Sequence, residues 1–99
     1  MNINVEKNNN MLVIGLEGRL DTNTAPDLEK VFTTSIEGVE ELELDFNKVE
    51  YISSAGLRVL LAAQKKMNTQ GSMKLKGVNE SVMEVFELTG FIDILTIEQ

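Results

Sequence analysis

Cysteine, histidine and tryptophan are absent, and proline occurs once in 99 residues. Without cysteine there is no disulfide, thiolate nucleophile or iron–sulfur cluster, which fits a reducing compartment. Without histidine, a Ser-His-Asp triad and the common zinc sites are excluded. Only carboxylates, hydroxyls, amides and nine Lys or Arg remain for chemistry. No apolar run is long enough to span a bilayer; the longest is Val59 to Ala63. The start, Met1 to Lys7, has no apolar core of a signal peptide.

Positive charge is scarce too. Nine Lys and Arg stand against sixteen Asp and Glu, leaving a net charge of −7. The basic residues are dispersed and form no stripe. Phosphate backbones and anionic lipid attract clustered Lys and Arg, so neither a nucleic acid nor a membrane is the expected partner. No cofactor and no metal site is expected. These features describe a cytoplasmic protein whose partner is another protein.

A chain of this length makes one domain, 1–99, with one modest core. Ile3 and Val5 alternate, Asn8-Asn9-Asn10 reads as a turn, and Met11 to Leu16 is a nearly continuous apolar run. This predicts a β-hairpin with a buried second strand, followed by a short strand before the first helix. Asp21 to Pro26 is a loop entering that helix, with Thr24 as N-cap and Pro26 in the first turn. Leu28, Val31, Phe32 and Ile36 follow helical spacing, and Gly38 stops it.

Glu41 to Phe46 alternates strictly, with Leu42, Leu44 and Phe46 on one side and a solvated row of carboxylates on the other. A strand is expected to end near Phe46 and to pass into a loop. Leu57, Leu60, Leu61, Gln64 and Met67 trace a second helix that ends near Gly71. Met73 to Lys76 is a strand. Asn79 caps a third helix bearing Val82, Val85 and Phe86, with Gly90 beyond its end. Ile92, Ile94, Leu95 and Ile97 make a last short strand or an extended tail. The fold class is therefore α/β: a mixed sheet of four to five strands, with three main helices packed mostly on one face through right-handed crossovers.

The informative stretch is Asp45 to Leu61, where Ser53 and Ser54 stand directly before the second helix. The first amides of a helix lack intrahelical partners and carry partial positive charge. An anion on a nearby serine can be held there. Either serine also serves as an ordinary N-cap. Gly56 permits either a close approach by such an anion or close packing of the helix on the sheet. A nucleophile elbow is excluded, because Ile52 stands where it needs glycine and no histidine exists as base.

The segment Asp45-Phe46-(x)2-Val49-x-Tyr51-Ile52-Ser53-Ser54-Ala55-Gly56-Leu57 resembles the signature of the STAS domain family, in particular its anti-sigma factor antagonists, the anti-anti-sigma factors. Gly18-Arg19-Leu20-Asp21 and the order of elements extend the likeness over nearly the whole chain. The resemblance implies a small β/α domain that is a substrate, not an enzyme. In many members a serine at the N-terminus of the second helix is phosphorylated by an anti-sigma factor that is also a serine kinase, with a histidine-kinase-like ATP fold. The unphosphorylated form binds that partner and frees a sigma factor, and a PP2C-type phosphatase resets the switch.

The family pattern there is Asp-Ser-(Ser or Thr)-Gly-Leu. Aligned on Gly56-Leu57, it gives Ser54 the acceptor role, with Ser53 as the alternative acceptor. Ser53 stands where the pattern has Asp, and Ala55 lacks the second hydroxyl. By the same likeness, Asp21, Thr22, Asn23, Ser53, Ala55, Gly56, Leu57 and Arg58 form the partner-binding set. Asp21 also has a plain reading, as a residue that bonds its own loop. Beside the switch stands a non-phosphorylated STAS scaffold within a larger bacterial signalling complex. A carboxylate-based hydrolase ranks last, because no acid/base pair has suggestive spacing.

Overall fold

The computed structural model describes residues 1–98; Gln99, the last position of the expected domain, lies outside them. Among the described residues the order is β1 (Asn2–Asn8), β2 (Met11–Leu20), α1 (Ala25–Ser35), β3 (Glu41–Ile52), α2 (Ser54–Asn68), β4 (Ser72–Lys76), α3 (Glu80–Thr89) and β5 (Ile97–Glu98). A 3-10 turn, Phe91–Asp93, follows α3. The five strands form one sheet in chain order. β1 and β2 are the expected antiparallel hairpin, and β2, β3, β4 and β5 run parallel.

Each parallel step passes through a helix and advances the sheet in one direction. With right-handed crossovers, that places all three helices on one face. The strand order never reverses, so the sheet has no switch-point crevice of the kind that holds nucleotides in doubly wound folds. Alternation supplies the core from that face: Leu12, Ile14 and Leu16 from β2, Leu42, Leu44 and Phe46 from β3, and Met73 and Leu75 from β4 are all buried. Leu28, Phe32, Leu60, Met67, Val82 and Phe86 meet them from the helices.

The expected loop after Phe46 is a strand. β3 continues to Ile52 and stays paired with β2, with register shifts between Gly15 and Glu17 and between Gly18 and Arg19. At each shift β3 carries one residue more than β2, which is the definition of a bulge. Its buried positions therefore step by three, from Phe46 to Val49 to Ile52. The period-two signal is broken without the strand ending. The separate short strand expected before α1 is likewise part of β2. At the other end, Ile92 and Ile94 lie in and after the 3-10 turn, and among the described residues there Ile97–Glu98 joins the sheet.

The open face carries the acidic row, and one of its members, Glu43, is paired. Glu43 lies 3.7 Å from Lys74 and 3.3 Å from Lys76, and Glu98 sits 3.6 Å from both lysines. The hydrogen bond and charge of Glu43 raise the Lys76 ammonium above its ordinary value, helped by Glu98. Gly71 does not end α2, which is capped at Thr69. A Cβ on Gly71 would fall 1.9 Å from the Glu40 carbonyl oxygen, so glycine is there to let two backbones meet.

Candidate functional site

The carboxyl ends of β2 and β3 lie side by side, with Leu20 opposite Ile52. The chain turns into α1 after the first and into α2 after the second. Both loops are tied together by one bond: the Ser53 amide donates to the Leu20 carbonyl at 2.9 Å. The Asp21 loop and the serine pair are thus neighbours, although more than thirty residues separate them in the chain.

Ser53 is the N-cap of α2, with extended backbone, and its hydroxyl accepts from the Gly56 amide at 3.5 Å. It is half-buried. Ser54 is the first helical residue and is exposed. The two hydroxyls therefore stand in different settings. Ser53 caps, and Ser54 points its chemistry to solvent at the positive end of a 15-residue helix. Arg58 is also exposed and lies four residues on, over the same helical face as Ser54.

Gly56 and Leu57 are buried and support this surface from below. A Cβ on Gly56 would lie 2.8 Å from Leu20 Cγ, 2.9 Å from Ile52 Cγ1 and 3.0 Å from the Leu20 carbonyl oxygen. Of the two readings of this glycine, close packing of α2 on the strand ends is the one the geometry supports. Ala55 is half-buried.

Asp21 organises the adjoining loop. Its carboxylate accepts from the Asn23 amide at 2.9 Å and the Thr24 amide at 3.1 Å. Thr24 occupies the N-cap position of α1 but its side chain makes no capping bond. Its hydroxyl donates to the Arg19 carbonyl at 2.7 Å and accepts from the Asp21 amide at 2.9 Å. The threonine is spent on closing the loop. Partial desolvation pushes the Asp21 carboxyl up, but the amide and hydroxyl bonds and the Arg19 charge together hold it below the usual carboxylate value. Thr22 and Asn23 project from the loop, both exposed.

Sequence reasoning passed over a pair at the same end. Arg19 stacks on Tyr51, 4.3 Å from guanidinium carbon to ring centroid, while its Nε lies 3.8 Å from the Asp21 carboxylate. The two residues are register partners across β2 and β3. Only the continuation of β3 past Phe46 brings them together, so no local signal announced them.

Among the described residues no group of His, Cys, Asp or Glu converges as a metal site, and no helix is long and apolar enough to cross a membrane. The arrangement offers a hydroxyl at a helix N-terminus, a fixed carboxylate beside it and an exposed guanidinium one turn away. The hydroxyl can carry an anion, which the helix N-terminus and the guanidinium favour and the carboxylate opposes.

Comparison with known proteins bears on the family and the fold of the whole chain. The STAS domain model matches residues 2–99. BtrV of Bordetella bronchiseptica is 34% identical over 99 residues, spanning 98% of this chain and 85% of that protein. The anti-sigma-B factor antagonist of Bacillus subtilis is 31% identical over 98 residues, spanning 98% and 90%. Among solved structures, the anti-sigma factor antagonist SpoIIAA in its unphosphorylated form superposes with a TM-score of 0.78 at 18% identity, covering 99% of this chain and 88% of that one. SpoIIAA of Bacillus in its phosphorylated form gives 0.77 at 19% identity, covering 99% and 92%. At these identities the two structures speak for the fold.

Proposed function

The chain belongs to the STAS domain family, and from that premise we propose that it is an anti-sigma factor antagonist switched by phosphorylation of Ser54. Residues 1–99 form one such domain. The observation that carries the reading is the division between the serines: Ser53 is held as the N-cap, while Ser54 is exposed at the first position of α2. The likeness over almost the full length of antagonists in other bacteria supports an anti-sigma factor as the partner. The protein is then a regulator and a kinase substrate in the cytoplasm, not an enzyme.

The mechanism is electrostatic. Unphosphorylated, the Ser54 end presents a neutral hydroxyl, the exposed Thr22 and Asn23, and Arg58 to the anti-sigma factor. Binding there releases the sigma factor. The anti-sigma factor, a serine kinase with a histidine-kinase-like ATP fold, transfers phosphate to Ser54, and a PP2C-type phosphatase removes it. The phosphate adds about −1.5 to −2 charges. The α2 N-terminus and Arg58, at i+4, hold that charge without unfolding the domain. An interface closed over a neutral hydroxyl cannot hold it, because the charge meets the fixed Asp21 carboxylate and loses its water. The complex then separates.

The test is incubation with the anti-sigma kinase and ATP, followed by mass spectrometry of the 53–58 peptide. One phosphate on Ser54, absent from Ser54→Ala, is the expected result. Phosphate that persists in Ser54→Ala and vanishes in Ser53→Ala moves the acceptor by one residue. No phosphate on either serine overturns the switch.

A further inference from the structure

α1 and α2 do not close fully on each other. A cavity of about 270 Å³ runs along their seam, floored by Phe32, Ile36, Val59 and Ala63 and rimmed by Ala62 and Lys66. Glu29 and Val59 also line a second cavity of about 200 Å³, which reaches Thr22, Ala55 and Arg58 next to Ser54. The two make one trough leading away from the serine. Its cause is local. α2 presents Ala55, Val59, Ala62 and Ala63 toward α1, at i, i+4, i+7 and i+8, and these side chains are too short to fill the space between two helices. The rims differ in charge: Glu29 on the α1 side, Arg58 and Lys66 on the α2 side, with Lys66 lying 3.7 Å from the exposed Glu37 carboxylate, a surface pair that a partner's carboxylate can replace.

Resting on the reading of the Ser54 end as the partner-binding surface, we infer that this trough is the second half of that footprint. It takes one amphipathic helix of the anti-sigma factor, with an apolar ridge in the seam and acidic side chains toward Arg58 and Lys66. The eleven residues of α1 span about 16 Å, the length of three helical turns. A seam between two helices is filled by the i, i+3 or i+4, i+7 ridge of a third. A second copy of this chain cannot supply that ridge. Its exposed large hydrophobics are Val5, Tyr51, Leu88, Ile92 and Ile94, and of these Leu88 alone lies in an α-helix. Two chains of −7 also repel.

The trough and the serine then do different work. Ala62 lies eight residues beyond Ser54, about 12 Å along the helix axis. That exceeds the screening length of about 8 Å at physiological salt. Phosphate at Ser54 gates one end of the interface and engages Arg58 there; the far part of the seam, from Ala62 to Lys66, supplies affinity that the phosphate does not touch.

The test is a double-mutant cycle by titration calorimetry of the full chain against the anti-sigma factor. Ala62→Glu puts over the seam, from an exposed position on α2, a charge that repels the acidic side chains of the partner helix. Thr33→Arg puts a charge over the seam from an exposed position on α1. Each should leave thermal unfolding unchanged and weaken binding about tenfold or more, the scale of a central interface residue. In the Ser54→Asp background the fold-changes should multiply, since the sites are distant. If both variants bind within about twofold of wild type while Ser54→Asp binds weakly, the seam proposal is overturned and the switch stands. If they weaken binding while Ser54→Asp binds normally, the seam stands and the charge gate falls.

Discussion

Ser53 and Leu20 are joined by a 2.9 Å hydrogen bond from the amide of one to the carbonyl of the other. Leu20 immediately precedes Asp21, and Ser53 immediately precedes Ser54. This one bond fixes the fixed carboxylate and the exposed hydroxyl in a common frame. The Leu20 side chain also lies against the place where a Gly56 Cβ would fall. The end of β2 is therefore the anvil on which the start of α2 is set.

Gly56→Ala tests that frame. In a helix the change by itself favours Ala by about 0.5–1 kcal/mol. Here the new Cβ meets Leu20 and Ile52 at 2.8 to 3.0 Å, including a backbone oxygen that cannot rotate away. Overpacking of this kind costs about 1–3 kcal/mol and should win. Urea unfolding should show a net loss of about 1–2 kcal/mol. Equal or greater stability would mean that α2 can lift from the strand ends freely.

Ser54→Asp separates folding from binding. Ser54 follows the cap, so a carboxylate there gains from the helix dipole, about 0.3–1 kcal/mol, without disturbing the Ser53 bond. Stability should change by less than about 1 kcal/mol, as for most surface substitutions. Binding to the anti-sigma factor should weaken about 30-fold or more, since a poorly paired charge in a closed interface costs roughly 2–5 kcal/mol. Ser54→Ala should bind as wild type does. Titration calorimetry beside thermal unfolding of the three proteins gives the answer, and tight binding by the Asp variant removes the charge gate.

Asp21 should make the loop acid-sensitive. Its carboxyl is held below 3.8 in the folded chain, so the ionised form is the one folding favours. The stabilisation is full above the unfolded value and is lost as pH falls through the lower folded one. Asp21→Asn keeps an oxygen acceptor and removes the charge. The variant should unfold earlier than wild type at pH 7, and the gap should close as pH falls below 3.8. A gap that stays constant to acid pH would assign the effect to shape instead of charge. The readout is the melting temperature of both proteins across that range.

Asn79 serves two elements at once. Its side-chain oxygen caps α3 by accepting from the Val82 amide at 2.8 Å, and its side-chain NH2 donates to the Val49 carbonyl at 2.8 Å. Asn79→Asp keeps the cap and loses the donor; Asn79→Ala loses both. Ala should cost about 1–2 kcal/mol and Asp about half as much, on the usual worth of a cap and a hydrogen bond. Chemical denaturation orders the three proteins, and equal losses for both variants would show that the cap contributes nothing.

How much of this was legible in the chain depends on range. The hairpin, the three helices and the buried faces of β2, β3 and β4 follow from periodicity, because pleat and helix impose their own spacing on apolar residues. The absence of histidine and cysteine and the net charge of −7 narrowed the chemistry before any fold was drawn. The serine pair at a helix start was also readable, since a cap is a local event. The tertiary structure decided the rest, wherever the answer depended on a distant strand. β3 runs on to Ile52 because its bulges are absorbed by β2, which lies outside any local window. Gly56 serves packing because Leu20 is there to be packed against. Ser53 and Ser54 look alike in the sequence. Their roles part only when the Ser53 amide is drawn to the end of β2, its hydroxyl turns to cap α2, and the next residue is left facing water.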